Sequence, residues 1–270
     1  MEVTTIKFMI NSLIFLPWRL IRTSFHFFVL IFFLISATVI IIPLLALPLR
    51  KRLEWVTIVW FVFAWYILNI CLWARLYLND DRSPHLRKRV SSGLYICNHQ
   101  SIWDIPLSLY LFQIPPIMKK ETLKIPLFGI LGMASGAIVL DRKDKDSRRK
   151  VLLEVRKRLN ENLPVLVYPE GTRNKDSLAP KNYEQIKVGT LETAYDCNVP
   201  VIPVAMVGTK NVANKFGIFN LNSKLGIHAL KEVYPKDFET KQDFCKHCWD
   251  ILCNRHLSLS EELFSKDKKN

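Results

Sequence analysis

Two long stretches without a charged residue constrain this chain more than any other feature: Thr23 to Leu49 and Trp55 to Ala74 contain no Asp, Glu, Lys or Arg. A helix over Phe27 to Leu49 would run roughly 35 Å and one over Trp55 to Ala74 roughly 30 Å, against a hydrocarbon slab of about 30 Å. Both are long enough to enter a bilayer, and 270 residues leave room for one sizeable domain beside them. A secretory leader does not fit: the first stretch is too long, lacks a small-residue cleavage site and is followed by a second apolar stretch.

Only Arg50-Lys-Arg-Leu-Glu54 joins the two stretches. Basic residues also flank the outer ends, with Lys7, Arg19 and Arg22 before and Arg75, Arg82, Arg87, Lys88 and Arg89 after. Positive charge favours the cytoplasmic face, so both ends and the joint are pulled the same way. Pro43 and Pro48 break or bend the first helix, and a hairpin within one leaflet stands open beside two full spans. A formal charge of +14 calls for an anionic counterpart. Next to an apolar hairpin that counterpart is a membrane surface rather than nucleic acid, each basic residue there adding about 1 kcal/mol of attraction. Six scattered cysteines, at 71, 97, 197, 245, 248 and 253, form no disulfide framework and fit a reducing compartment.

These features divide the chain into a membrane-attached helical hairpin over 1–78 and an α/β domain over 79–270, with the polar stretch Asn79 to Ser92 as linker. Gly93 to Cys97, Pro116 to Lys119, Ala137 to Leu140, Pro164 to Tyr168 and Val199 to Val207 are apolar runs of strand length. Between them lie helically spaced sets such as Val151, Leu152, Val155 and Leu159, or Val188, Leu191 and Tyr195. This alternation predicts a mostly parallel mixed sheet covered by helices. Arg142 to Arg158 holds nine Lys or Arg against three acids, which reads as a solvated helix face or one laid on lipid phosphates. Lys266 to Asn270 is a polar tail.

The run Asn98-His-Gln-Ser-Ile-Trp-Asp104 separates a histidine from an aspartate by five positions. On a continuous helix they would sit roughly 140° apart. They converge only if the helix begins between them, and Ser101-Ile-Trp-Asp104 has the spacing of a capping box. His99 can then fold back on the Asp104 carboxylate. Such a carboxylate fixes the tautomer and leaves the other ring nitrogen to take a proton from a hydroxyl, the base and orienter of a triad whose nucleophile is the substrate. The alternative at this point is a capping aspartate beside an ordinary loop histidine.

A second cluster, Val165-Leu-Val-Tyr-Pro-Glu-Gly-Thr-Arg173, is a buried strand running into a polar loop, where open α/β sheets place ligands. Glycine permits close approach, the threonine donates hydrogen bonds and the arginine fork matches a phosphate, the alternative at this point being an ordinary polar turn.

In this order, the two clusters resemble the glycerolipid acyltransferase family, in particular its 1-acylglycerol-3-phosphate acyltransferases. The resemblance covers Gly93 to Gly208 in four blocks. Asn98 to Asp104 is similar to the first, and Lys119-Lys-Glu-Thr-Leu-Lys-Ile-Pro-Leu-Phe-Gly129 with Gly136 to Arg142 to the second. Tyr168 to Arg173 and Val199-Pro-Val-Ile-Pro-Val204 are similar to the third and fourth. The resemblance implies transfer of a fatty acyl chain from a thioester to the free hydroxyl of lysophosphatidic acid, giving phosphatidic acid. It implies His99 as general base and Asp104 as its orienter, with Glu170, Gly171, Thr172 and Arg173 binding the acceptor. Arg142 is associated with the acceptor, and Lys120 is expected nearby; the block around Ile202 and Pro203 reads as core strand, though in the family it borders the acyl site. Ile186-Lys-Val-Gly189 departs from the family where many relatives have a second basic residue before the glycine.

No metal or bound cofactor is expected, the acyl-CoA or acyl carrier protein thioester being a co-substrate. Expected partners are membrane lipids, lysophosphatidic acid and the acyl donor. The catalytic domain is expected on the cytoplasmic face of a bacterial inner membrane or an endoplasmic reticulum. Alternatives are another lysolipid acceptor and a catalytically silent lipid-binding relative. Cys245-Lys-His-Cys248 with His256 raises a zinc reading, but zinc sites pair their ligands across a loop. Thr240-Lys-Gln-Asp243 has the capping-box spacing of a helix that packs Phe244, Cys248, Ile251 and Leu252 on one face.

Overall fold

The computed structural model describes residues 16–88, 91–125, 128–174, 179–213 and 218–265. Lys7, Arg89 and the tail Lys266 to Asn270, all named above, lie outside the described residues.

Helix α1 (Leu16–Leu44) is followed by α2 (Leu49–Trp65), which continues as a π-helical turn over Tyr66–Cys71. The joint is therefore not Arg50 to Glu54, which forms the first turns of α2, but the turn at 45–48. Pro48 has no N–H to give a helix and stands as the N-cap of α2, while Pro43 is taken up within the end of α1. Leu20–Leu44 and Leu49–Cys71 are long and apolar enough to cross a membrane. They differ in packing: 11% of the first window is buried against 44% of the second. On α2, Val56, Trp60, Phe63 and Ala64 are buried in the core, whereas α1 presents Phe28, Phe32 and Val39 outward.

The domain is built on a five-stranded sheet. In chain order its strands are β1 (Arg75–Asp80), β2 (Gly93–Cys97), β5 (Pro164–Val167), β6 (Val201–Val207) and β7 (Lys224–Ala229), arranged spatially as β1-β7-β6-β2-β5. Three of its pairings are parallel and β6 with β7 is antiparallel, so the sheet is mixed and mostly parallel, as expected. A separate parallel pair, β3 (Met118–Lys119) and β4 (Val139–Leu140), accounts for the two runs expected near 116–119 and 137–140. Strand β2 is buried at every position, and its side chains alternate between two cores. Tyr95 and Cys97 join α2 and α3 (Asp104–Phe112), whereas Leu94 and Ile96 join α5 (Lys145–Asn160), α6 (Gly189–Asp196) and α7 (Lys241–Phe264). A short α4 (Phe128–Ala134) packs near α1.

The stretch read as a linker is anchored. Asn79 and Asp80 belong to β1, and Arg82, only 6% exposed, pairs with Asp80 at 2.8 Å. Its guanidinium also donates to Leu86 O and to the Tyr95 hydroxyl, and it lies over the Phe112 ring. A buried guanidinium needs such partners on every side, and supplying them fixes the segment to the sheet. In α7 the Thr240 hydroxyl accepts from Asp243 N at 3.1 Å. Phe244, Cys248 and Leu252 are buried, with Ile251 partly so. Among the described residues no group of His, Cys, Asp and Glu is arranged to hold a metal ion.

Candidate active site

Strand β2 delivers the chain to the site. Directly after it, the buried Asn98 spans to β6, donating to Met206 O at 2.9 Å and accepting from Met206 N at 2.7 Å. His99 then lies in the loop beyond the sheet, and the chain turns over 102–103 before α3 starts at Asp104. The awkward interval is resolved as expected: His99 Nδ1 and Asp104 Oδ2 are 2.8 Å apart.

The capping box forms by half. Asp104 Oδ2 accepts from Ser101 N at 2.8 Å and from Gln100 N at 2.7 Å. Ser101 Oγ, however, accepts from Trp103 N at 3.4 Å rather than from Asp104. Asp104 therefore caps the loop that carries His99 instead of being capped by it. Its second oxygen, Oδ1, accepts the Thr209 hydroxyl at 2.5 Å. Asp104 is fully buried, and four donors compensate the desolvation of its charge. With Oδ2 as acceptor, His99 carries its proton on Nδ1, which leaves Nε2 as the acceptor.

Two contacts fix the histidine further. The Tyr168 ring stacks on it, with centroids 4.3 Å apart and planes inclined by 19°. Glu170 Oε1 accepts from His99 N at 2.8 Å. Glu170 is 2% exposed, and burial pushes its carboxyl up to about 7. Its Oε2 has no hydrogen-bond partner. Gly171 turns at φ +67, and its amide donates to Tyr168 O at 2.9 Å, so the loop after β5 bends back over the histidine.

A cavity of about 730 Å³ opens over His99. Its lining includes the apolar Trp60, Ile102, Ile105 and Leu109 and the basic Lys119, Arg142, Arg148, Arg173, Lys181 and Lys187. Lys119 is held below its usual value by burial, then by the Arg142 and Arg173 charges beside it. Burial likewise lowers Arg142. Lys181 Nζ donates to Thr172 Oγ1 at 3.2 Å and to Glu170 O at 3.3 Å.

His99, Glu170, Gly171, Thr172, Arg173 and Arg142 all line this cavity. Lys120 does not: its ammonium is paired with Asp141 at 3.0 Å on the exposed surface, and Lys119 takes the place expected for it. Ile202 and Pro203 lie in β6 away from the cavity wall, Ile202 being fully buried in the core. Lys187, in the segment that departs from the family pattern, lines the cavity after all. Sequence reasoning missed Thr209, Lys119 and the stacking role of Tyr168. Only Tyr168 carried a signal, as the aromatic that precedes the Pro-Glu-Gly-Thr loop.

Comparison with known proteins bears on this arrangement. Residues 80–207 match the family model described as Acyltransferase. The 1-acyl-sn-glycerol-3-phosphate acyltransferase of Haemophilus influenzae is 32% identical over 194 residues, covering 68% of this chain and 76% of that protein. The chain belongs to the glycerolipid acyltransferase family. A further relative, the 1-acyl-sn-glycerol-3-phosphate acyltransferase of Escherichia coli, is 26% identical over 197 residues, covering 70% of this chain and 76% of that protein. The crystal structure of the 1-acyl-sn-glycerophosphate acyltransferase PlsC from Thermotoga maritima shares the fold. It has a TM-score of 0.73 at 21% identity and covers 90% of this chain and 97% of its own. In this acyltransferase the matched region runs from the end of β1 to the end of β6, and so takes in the His99 loop and the Glu170 loop but not Thr209.

Proposed function

We propose that the chain transfers a fatty acyl group from an acyl thioester to the free hydroxyl of 1-acyl-sn-glycerol 3-phosphate, giving phosphatidic acid. The observation that carries this is the His99–Asp104 pair, with His99 facing a cavity lined by both apolar and basic side chains. That is the complement of an amphiphile with an acyl chain and a phosphate.

His99 Nε2 takes the proton of the glycerol hydroxyl as its oxygen attacks the thioester carbonyl carbon. The tetrahedral intermediate collapses with cleavage of the C–S bond, and the thiolate leaves with the proton that the imidazolium returns. Asp104 holds the tautomer and stabilises the imidazolium. Arg173 and Arg142, with Lys119, receive the acceptor phosphate, whose roughly two negative charges their forks and ammonium match. The chemistry needs no metal or resident cofactor, since the substrate supplies the nucleophile and the dyad supplies the base.

The two apolar helices attach the protein to a membrane, with the +14 charge holding the catalytic domain to an anionic cytoplasmic leaflet. Both lipid substrates already partition to that interface. Assay of the pure protein against a panel of lysolipids, with acyl-CoA and with acyl carrier protein, tests the reading. Lysophosphatidic acid should be turned over best, and preference for a zwitterionic lysolipid would refute the acceptor assignment.

A further inference from the structure

The cavity holds more positive charge than a lysophosphatidate uses. Six basic side chains face it against the single carboxylate of Glu170. Lys119, Arg142 and Arg173 form one group, close enough for the two arginines to depress the lysine. Lys181 is engaged by Thr172 and the Glu170 carbonyl. Arg148, whose Nη2 donates to Arg142 O at 2.6 Å, and Lys187 are left, and among the described residues neither is ion-paired with an acid.

These two cations flank the amino end of α6. Arg148 lies one turn before Leu152 on α5, and Leu152 is the side chain that a Cβ on Gly189 would meet, at 3.4 Å. Lys187 stands two residues before Gly189, the first residue of α6. The N-cap residue Val188 offers no side-chain oxygen, so the first amides of α6 lack a side-chain cap. Thr190, in the first turn, lines the same cavity, is 8% exposed, and its hydroxyl has no hydrogen-bond partner. Uncapped amides, an unused buried hydroxyl and two cations without an acidic partner together make an anion site.

We infer that Arg148, Lys187 and Thr190 form a second phosphate subsite, which binds the 4′-phosphate of a pantetheine-linked acyl donor. This rests on the proposed function, in which a thioester must lie beside His99. That phosphate, one half of a diphosphate in coenzyme A and a phosphodiester in a carrier protein's prosthetic arm, is the anion that the two donors have in common. With the acceptor phosphate on the Lys119 group, the donor phosphate takes the remaining charge. The two substrates are then oriented toward one another across His99.

The test compares an acyl-phosphopantetheine with the same acyl-pantetheine lacking the phosphate. The native protein should show a KM about tenfold lower for the phosphorylated donor, and the R148A/K187A variant should lose this discrimination. The variant's KM for lysophosphatidic acid should stay within about twofold, since its phosphate lies elsewhere. Acyl-CoA and acyl carrier protein should suffer the same rise in KM. A loss confined to acyl-CoA would assign the cations to the nucleotide phosphates and overturn the inference. So would retained discrimination, or a rise in the acceptor KM instead. Thr190→Val gives a milder loss of the same kind, and a Thr190→Val protein with undiminished discrimination would remove the hydroxyl from the subsite. Calorimetric binding of phosphopantetheine to His99→Ala protein reads the site without turnover. Absence of acyl transfer by the native protein overturns the proposed function alone, and undiminished phosphopantetheine affinity in R148A/K187A on the His99→Ala background overturns the subsite alone.

Discussion

The hydroxyl of Thr209 donates to Asp104 Oδ1 at 2.5 Å, joining residues 105 positions apart in the chain. Thr209 reaches this place because Gly208 turns at φ +87 directly after β6, where an added Cβ would meet Lys224 O at 2.1 Å. The far oxygen of the Asp104 carboxylate is thus held by the segment that follows β6. Thr209→Val keeps the shape and removes the donor, leaving a buried anion one hydrogen bond short. The expected outcome is a kcat reduced on the order of tenfold with the acceptor KM unchanged, and recovery in Thr209→Ser. Steady-state kinetics on the three proteins check it; equal loss in Thr209→Ser would show that volume, not the hydroxyl, matters.

His99→Ala removes the base and should lower kcat by roughly 10² to 10⁴ while vesicle binding persists. Asp104→Asn is expected to fall in the same range, because an amide can donate to Nδ1 and so favours the wrong tautomer. Near-native turnover by either purified variant contradicts the dyad.

Arg173→Ala should raise the KM for lysophosphatidic acid about tenfold or more, with a smaller change in kcat. Lys120→Ala is the informative partner, because that ammonium is already satisfied by Asp141 on the exposed surface. Its KM should stay within about twofold of native. The sequence offers two adjacent lysines and no way to choose between them. Lys119 ends β3 and Lys120 begins the next turn, and consecutive side chains of extended backbone point to opposite sides. Phase of this kind is set by where the strand pairs, which only the fold supplies.

Other parts of the fold were legible for reasons that also explain what was not. Strands β2, β5 and β6 are buried on both faces, so their apolar runs stand out from any context. Edge strand β1 is largely exposed and reads as a polar segment, which is why its end passed for a linker. Charge suggests a hairpin joint at Arg50 to Glu54, but these residues sit comfortably on a helix and proline marks the break. The His99–Asp104 contact was legible because a short loop alone separates the histidine from the first residue of α3. Thr209 was not, since its segment carries no pattern and its partner is brought near only by the β2–β6 pairing.

Glu170 gives the fold a pH dependence of definite sign. Burial raises its carboxyl from the ordinary 4.5 to about 7, so the folded state binds this proton more tightly than the unfolded state does. The associated stability is fully present below the unfolded value and is lost as pH rises through about 7. Glu170→Gln mimics the protonated form. Its Tm should match the native protein near pH 5 and exceed it near pH 8; a lower Tm than native at pH 8 would mean that the carboxylate is stabilised rather than strained there.

Membrane attachment can be separated from folding on α1, where Phe28 is 68% exposed and Phe32 71%. In water a lysine at an exposed helix position costs little, a few tenths of a kcal/mol. In the centre of a bilayer span it costs about 2.5–3.5 kcal/mol. Phe28→Lys with Phe32→Lys should therefore leave the Tm of detergent-solubilised protein within a few degrees of native. The same variant should shift much of the protein out of the floating fraction when mixed with anionic vesicles. Leu257→Lys on α7, at 51% exposure, serves as the control and should float like the native chain. Flotation of the double variant equal to that of the control would mean that α1 does not sit in the hydrocarbon, and that charge alone holds the protein to lipid.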